Sequence, residues 1–270
     1  MTQAVKKYSE LDLLKSGFKT QWYVLGALII RELHTRFGRD NIGFMWVILE
    51  PSLLTLGVSA LHVAQGPFMH VGMPTGSFLV SGYTFFCLFR SVVNRSGGAI
   101  EANRSLLYHR IVTIFDILLS RAILEAAATV LAVIFLSLIM QAFDFGFLPE
   151  RPLLMIWGLF LLTWISFALS MIIAAYSERS STVERLTHPI MYLSMPLSGA
   201  FTIQQMLPDP FRWYLSWFPT TEIFEYIREG QFDFYESDYT YPAYVIGWCL
   251  VLTYIGLISI RNVRKDIHLG

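Results

Sequence analysis

The chain is expected to be an all-α integral membrane protein. It has six transmembrane helices, an N-terminal amphipathic interface helix, a short cytoplasmic helix, and short interfacial or re-entrant helices between spans 5 and 6. Three observations predict this class. The 270 residues are 54% hydrophobic and 15% charged, whereas soluble domains carry about 25% charge. The apolar residues gather into six runs near the length of about 20 needed to cross a hydrocarbon core. The basic residues fall on alternate connections. An outer-membrane barrel would alternate apolar and polar residues, and this chain has continuous apolar runs instead. The formal net charge of zero singles out no partner. Cys87 and Cys249 sit inside apolar runs and read as small buried side chains. Residues 1–21 are polar and contain no signal-peptide pattern.

Residues 1–41 form the cytoplasmic and interface portion. At about 100° per residue, Trp22, Gly26, Ile29, Ile30, Leu33 and Phe37 share one arc, and Arg31, Glu32, His34, Thr35, Arg36 and Arg39 share the other. Such a helix lies in the interface with its basic face toward headgroups and cytoplasm. It acts either as an anchor or as a lever on the span that follows, with Gly38 and Gly43 permitting the turn between them. Residues 42–203 hold five spans, at 42–63, 77–93, 117–142, 152–175 and 186–203. The sixth is 243–260, and 261–270 form a tail. Glu50-Pro51 predicts a kink or break in the first span.

Six spans place both termini on one side. Of the 20 Lys and Arg residues, 17 belong to the termini and the connections after spans 2 and 4; Arg151, Arg212 and Arg228 lie opposite. The positive-inside rule makes the first set cytoplasmic.

Two connections carry more than a turn. In residues 94–116, Gly97-Gly98 ends span 2. Residues 99–107 read as a short helix, and Thr113 or Asp116 is a candidate cap for span 3. A short helix is unstable in water unless it docks, which favours a partner. On the outer side, residues 204–242 carry seven acidic residues against two arginines. Here Trp213, Tyr214, Trp217 and Phe218 make a stretch too aromatic for a free loop. Residues 219–230 read as a helix with Thr220 as N-cap, Glu222 in the first turn and Gly230 at the end. These pieces serve as an aromatic belt or as an exit gate.

The sequence contains no Gly-x-x-x-x-Gly-Lys-Ser/Thr loop, so no nucleotide site of its own is expected, and it lacks the common hydrolase motifs. Its six histidines are scattered and no metal is expected. Glu50 and Arg90 are costly in lipid and should face protein, water or substrate. Arg121 and Glu125, at i,i+4, are expected to satisfy one another.

A resemblance joins these parts. The order is an Arg-Glu-Leu-x-Thr-Arg-Phe-Gly helix from Arg31, then Trp46-x-x-Leu49-Glu50-Pro51, then Asn103-Arg104-Ser105-Leu106-Leu107. Later come Asp116-x-x-x-x-Arg121-Ala122-x-Leu124-Glu125 and an aromatic loop before span 6. This resembles the permease subunit of ABC-2 type exporters of cell-surface polysaccharide, in the KpsM-like branch that serves capsular polysaccharide at the inner membrane. Over the remaining spans the likeness is one of pattern.

The resemblance implies a homodimer of permeases with two separate ATP-binding cassette ATPase subunits, which bind ATP and Mg. It also implies a periplasmic co-polymerase or adaptor protein and a lipid-linked acidic polysaccharide as cargo. No cofactor is expected on this chain, and nothing points to nucleic acid. The coupling helix 101–107 and the interface helix would carry ATPase motion to the spans, through Arg31, Arg36, Arg39, Glu101, Asn103, Arg104, Leu106 and Leu107. Trp46, Glu50, Tyr83, Phe86 and Arg90 are the candidate substrate path, since sugar rings need aromatic faces and acidic groups need cations. Tyr83, Phe86 and Arg90 share a face at i, i+3 and i+7. Trp213, Tyr214, Trp217, Phe218 and Glu222 are the candidate periplasmic gate. The same fold exporting O-antigen, teichoic acid or a small drug is the alternative.

Overall fold

A computed structural model describes residues 10–37, 41–64, 72–108 and 111–267. Among them the secondary structure is helical, without strands. Four helices are long and apolar enough to cross a membrane: α3 (Thr75–Asn94), α6 (Ile114–Ala142), α7 (Pro152–Arg179) and α11 (Pro242–Ile267, apolar to Arg264). They cover the expected spans 2, 3, 4 and 6.

The other two expected spans differ. Span 1 is α2 (Asn41–Ala64), whose described apolar stretch, Ile48–Leu61, is shorter than the other four. The helix runs through Pro51, so the expected break is absent. The Thr55 hydroxyl donates to the Pro51 carbonyl at 2.8 Å. Span 5 is a 13-residue helix, α8 (Ser181–Leu193), followed by consecutive turns through Phe201. The helix runs through Pro189, whereas Pro196, which has no N–H to donate, falls in the turns where the apolar run ceases to be one regular helix.

The helix α3 is the centre of the bundle. Of its apolar window, 89% is buried inside the protein, against 22% for α11, which lies at the periphery. Midway, Val80–Thr84 forms a π turn. There the Ala200 carbonyl approaches so closely that a Cβ at Gly82 would collide with it. This contact carries the turns after α8 into the core.

After α3, Gly98 takes φ +67°, and the expected short helix is two: α4 (Ala99–Ala102) and α5 (Arg104–Leu107), broken at Asn103. Thr113 caps α6 through a capping box with Asp116: the Thr113 hydroxyl accepts from the Asp116 N–H at 3.2 Å, and the Asp116 carboxylate accepts from the Thr113 N–H at 3.0 Å. On the other face, α9 (Asp209–Ser216) and α10 (Pro219–Gln231) follow, and α10 packs along the start of α7. The N-cap of α10 is Phe218 with Pro219 as the first helical residue, so the cap lies two residues ahead of the expected Thr220. Proline is favoured there because its missing N–H would be unpaired anyway.

The N-terminal helix α1 (Glu10–Phe37) is longer than expected and packs on α6 and α2. Its polar arc is divided. Arg31 and Glu32 turn toward the protein, while His34 and Thr35 are exposed, and so are Trp22 and Ile30 of the apolar arc. The expected orientation, with the basic face toward headgroups and cytoplasm, is therefore corrected for Arg31 and Glu32. Their charges are drawn inward by partners on α6 and the α4–α5 segment. The expected turn at residues 38–40 lies outside the described residues.

Candidate functional site

Four helices enclose a cavity of about 260 Å³. From α2 comes Glu50, from α3 Arg90, from α6 Glu125 and from α8 His188 and Tyr192; Arg95, just past the end of α3, completes the lining. The Arg90 guanidinium lies 5.3 Å from the centre of the Tyr192 ring. Charge of both signs beside aromatic carbon suits a ligand bearing acidic groups and sugar rings.

Of the expected path residues, Glu50 and Arg90 meet here. Tyr83 and Phe86 do not: both are buried, with Tyr83 against Phe201 at 5.9 Å and Phe86 against Phe89 at 6.3 Å. Tyr83 sits inside the π turn, Val80–Thr84, so a regular 3.6-residue count from it to Arg90 misplaces its side of the helix, whereas Phe86 lies beyond the turn and packs in the core. Trp46 is half exposed and lies off the cavity wall. The aromatic surface comes from Tyr192, which no spacing in the sequence marked.

A second assembly surrounds α4 and α5. The Arg31 guanidinium donates to the Asn103 side-chain oxygen, Oδ1. The Asn103 amide donates to the Ala99 carbonyl at 2.8 Å, which holds the break between the two short helices. Gln21 donates to Asp116 at 2.9 Å. Glu32 pairs with Arg121 at 3.0 Å, and Arg104 with Glu178 at the end of α7 at 2.7 Å. Glu101 and Arg104 are exposed, whereas Leu106 and Leu107 turn inward. Arg39 and the side chain of Arg36 lie outside the described residues. The expected pairing of Arg121 with Glu125 is replaced: Arg121 takes Glu32, and Glu125 lies 3.7 Å from Arg95. A long-range partner reaches Arg121 because α1 lies along α6.

The third assembly is on the α9–α10 face. Trp213, Tyr214, Trp217 and Phe218 are exposed together, with Trp213 packed edge-on to Tyr214 at 5.0 Å and to Trp217 at 5.8 Å. Glu222 is apart from them, buried, and accepts from the Tyr241 N–H at 3.1 Å. Burial pushes its carboxyl up to about 7, with the Tyr241 hydrogen bond opposing. Sequence reasoning missed what lies beneath. Glu225 and Arg228 form a fully buried ion pair at 3.2 Å. Arg228 also donates to the Gly199 carbonyl and lies 5.0 Å from the centre of the Phe78 ring. Glu225 accepts from the Tyr235 hydroxyl and from the Gln204 N–H. The i,i+3 spacing on a predicted helix was the available signal.

The model of the ABC-2 type transporter family matches residues 23–232. The chain belongs to the ABC-2 type transporter family. Full-length relatives agree. One is the capsule polysaccharide export inner-membrane protein BexB of Haemophilus influenzae, 30% identical over 97% of this chain and 99% of the relative. Another is the capsule polysaccharide export inner-membrane protein CtrC of Neisseria meningitidis serogroup B, 30% identical over 91% of this chain and 92% of its own. The polysialic acid transport protein KpsM of Escherichia coli is 32% identical, covering 93% and 97%. The matched range of this ABC-2 chain takes in the cavity whole and the other two assemblies except Gln21, Tyr235 and Tyr241.

Proposed function

We propose that this ABC-2 chain is the transmembrane permease subunit of an ATP-driven exporter that moves lipid-linked capsular polysaccharide from cytoplasm to periplasm across the inner membrane. One observation carries the reading: a relative named for capsule polysaccharide export matches this chain and itself almost end to end. The cavity with Arg90, Arg95 and Tyr192 supports it, since acidic glycans need cations and ring faces. In this reading α2 and the α8 segment with its following turns complete six crossings, and both termini are cytoplasmic, following the distribution of basic residues. Two copies assemble with two separate ATPase subunits that bind ATP and Mg, and with a periplasmic co-polymerase or adaptor. The α4–α5 segment and α1 receive the ATPase motion. Trp213, Tyr214, Trp217 and Phe218 line the periplasmic exit.

Deleting the gene in its own bacterium should strip the capsule and leave the glycan inside the cell. An intact capsule with loss of O-antigen, teichoic acid or drug resistance would reassign the cargo. Complementation with Arg90→Ala should restore protein level and ATPase binding but not surface glycan. Purification of the complex should yield an ATPase subunit in equal amount, and an active solitary chain would overturn the class of transporter.

A further inference from the structure

Residues 232–241 join α10 to α11, and carboxylates of α10 at i, i+3 and i+7 hold them. Glu225 accepts from the Tyr235 hydroxyl, Glu229 from the Ser237 N–H at 2.8 Å, and Glu222 from the Tyr241 N–H at 3.1 Å. The two ends of the segment are held unequally. At the first, Glu225 has Arg228 as counter-ion, and Asp233 is bound by Glu150 and Arg151. Midway, Arg212 donates to the Tyr239 hydroxyl at 3.0 Å. At the second, Glu222 is 3% exposed, and among the described residues the Tyr241 N–H is its one hydrogen-bond partner. Tyr241 leads directly into α11, where the Tyr244 hydroxyl donates to the Trp217 carbonyl at 2.8 Å, within the exposed aromatic group.

We propose that Glu222 is a proton-operated latch: protonated, it keeps the entry of α11 docked on α10, and ionised, it drives the Tyr241 end outward to reach water. The inference rests on the reading of the α9–α10 face as the exit, whose regulation it supplies. A carboxylate sealed from water and left without a cation is strongly unfavourable. A hydrogen bond to a charged group returns only about 1.5–3 kcal/mol. Burial therefore outweighs the Tyr241 bond and pushes the carboxyl from 4.5 up to about 7. No neighbour reverses this balance. On α10, Tyr226 adjoins both Glu222 and Glu229, and burial raises all three. The Arg228 charge is committed to Glu225 and the Gly199 carbonyl. The elements packed on α10 are α3, α7, α9 and α11. Near it, α3 brings Tyr83, which lies against Phe201, and α11 brings Tyr244. Asp209, Arg212 and Tyr214 come from α9, with Arg212 held by Asp209 and Tyr239. Arg151, ahead of α7, is held by Asp233, while Glu236 and Asp238 of the segment are exposed. None of these cations is paired with Glu222. A carboxyl that reaches water keeps its ordinary value. Opening therefore releases a proton between about pH 4.5 and pH 7, and the open fraction rises about tenfold per pH unit across that window. Above it both forms are ionised and pH has no further effect. Because Arg212 holds Tyr239, the swing is confined to residues 240–241 and the first turn of α11. It parts Tyr244 from Trp217 and undocks the aromatic group.

The test uses the full complex with its ATPase subunits in lipid nanodiscs. Amide hydrogen exchange of residues 240–245, corrected for the intrinsic pH dependence of exchange, reads the latch. Wild-type protection should fall at least tenfold from pH 5 to pH 7 and no further by pH 8, with residues 223–231 unchanged within twofold. Glu222→Gln should keep its pH 5 protection at pH 7, and Glu229→Gln should respond as wild type does. Flat wild-type protection overturns the latch without any variant. A Glu222→Gln chain that still responds, or a Glu229→Gln chain that does not, overturns the assignment to Glu222. In cells, wild-type surface glycan should fall at least fivefold when the medium is taken from pH 7 to pH 5, and Glu222→Gln should export poorly at both. The two readings fail separately. Should protection respond to pH while export ignores it, this face is not the exit; should protection stay flat, the latch fails whatever the cargo.

Discussion

Among the described residues, Arg228 is the largest fully buried side chain. Its charge is tolerated because Glu225, the Gly199 carbonyl and the Phe78 ring surround it. Breaking a buried pair from one side costs about 3–5 kcal/mol, because the remaining charge is stranded. Arg228→Met should therefore lower the thermal midpoint in detergent sharply, and Glu225→Gln added to it should restore much of the loss. Glu222 gives a different expectation. Its folded carboxyl is raised from 4.5 to about 7 by burial, so the folded state binds the proton more tightly than the unfolded one. Stability from this group is full below about 4.5 and is lost as pH rises through about 7. Glu222→Gln should flatten the fall in thermal midpoint between pH 5 and pH 8; an unchanged slope would refute the assignment. Sequence alone singled out Glu50 and Arg90, which the structure brings to one cavity, because charge in an apolar run has few tolerable destinations. Tyr192 was invisible, since one aromatic in an apolar helix has no distinguishing pattern.

At the level of elements, the four long helices were legible because length and apolarity are local properties. What escaped was set by neighbours. Residues 99–107 have helical composition throughout, yet Asn103 breaks them, its side chain bridging Arg31 and the Ala99 carbonyl. The π turn in α3 could not be read from sequence, because it answers the close approach of Ala200. The cap of α6 was readable, since Thr113 and Asp116 stand at capping-box spacing. Thr113→Ala should cost about 1 kcal/mol, seen as a shift of a few degrees in thermal midpoint without loss of ATPase association. Gly82→Val should be far more severe. Its side chain meets the Ala200 carbonyl, and the protein should fail to accumulate in the membrane.

For the whole molecule, the three assemblies are joined through common helices. The helix α6 carries Asp116, Arg121 and Glu125, so one rod meets α1 at its start and the cavity two turns further on. The helix α7 meets α10 near its first turns and Arg104 at its last. In the proposed reading, displacement of the α4–α5 segment reaches the cavity through α6 and the α9–α10 face through α7. Swapping the charges of Arg104 and Glu178 should preserve export, because their exposed pair fixes position; Arg104→Glu alone should reduce it at unchanged membrane level.

The central position of α3 has a bearing on how the protein is made. It is the least apolar of the four long helices and the most enclosed. Lipid never has to solvate most of its surface, so selection for oiliness is relaxed there, and Ser77, Ser81 and Thr84 are accommodated. During synthesis, however, α3 leaves the ribosome before α6 and α7 exist to surround it. It must wait at the insertion machinery, or lie shallowly, until those later helices arrive. A chain released after residue 108 should wash from membranes with alkali, whereas one released after residue 180 should stay.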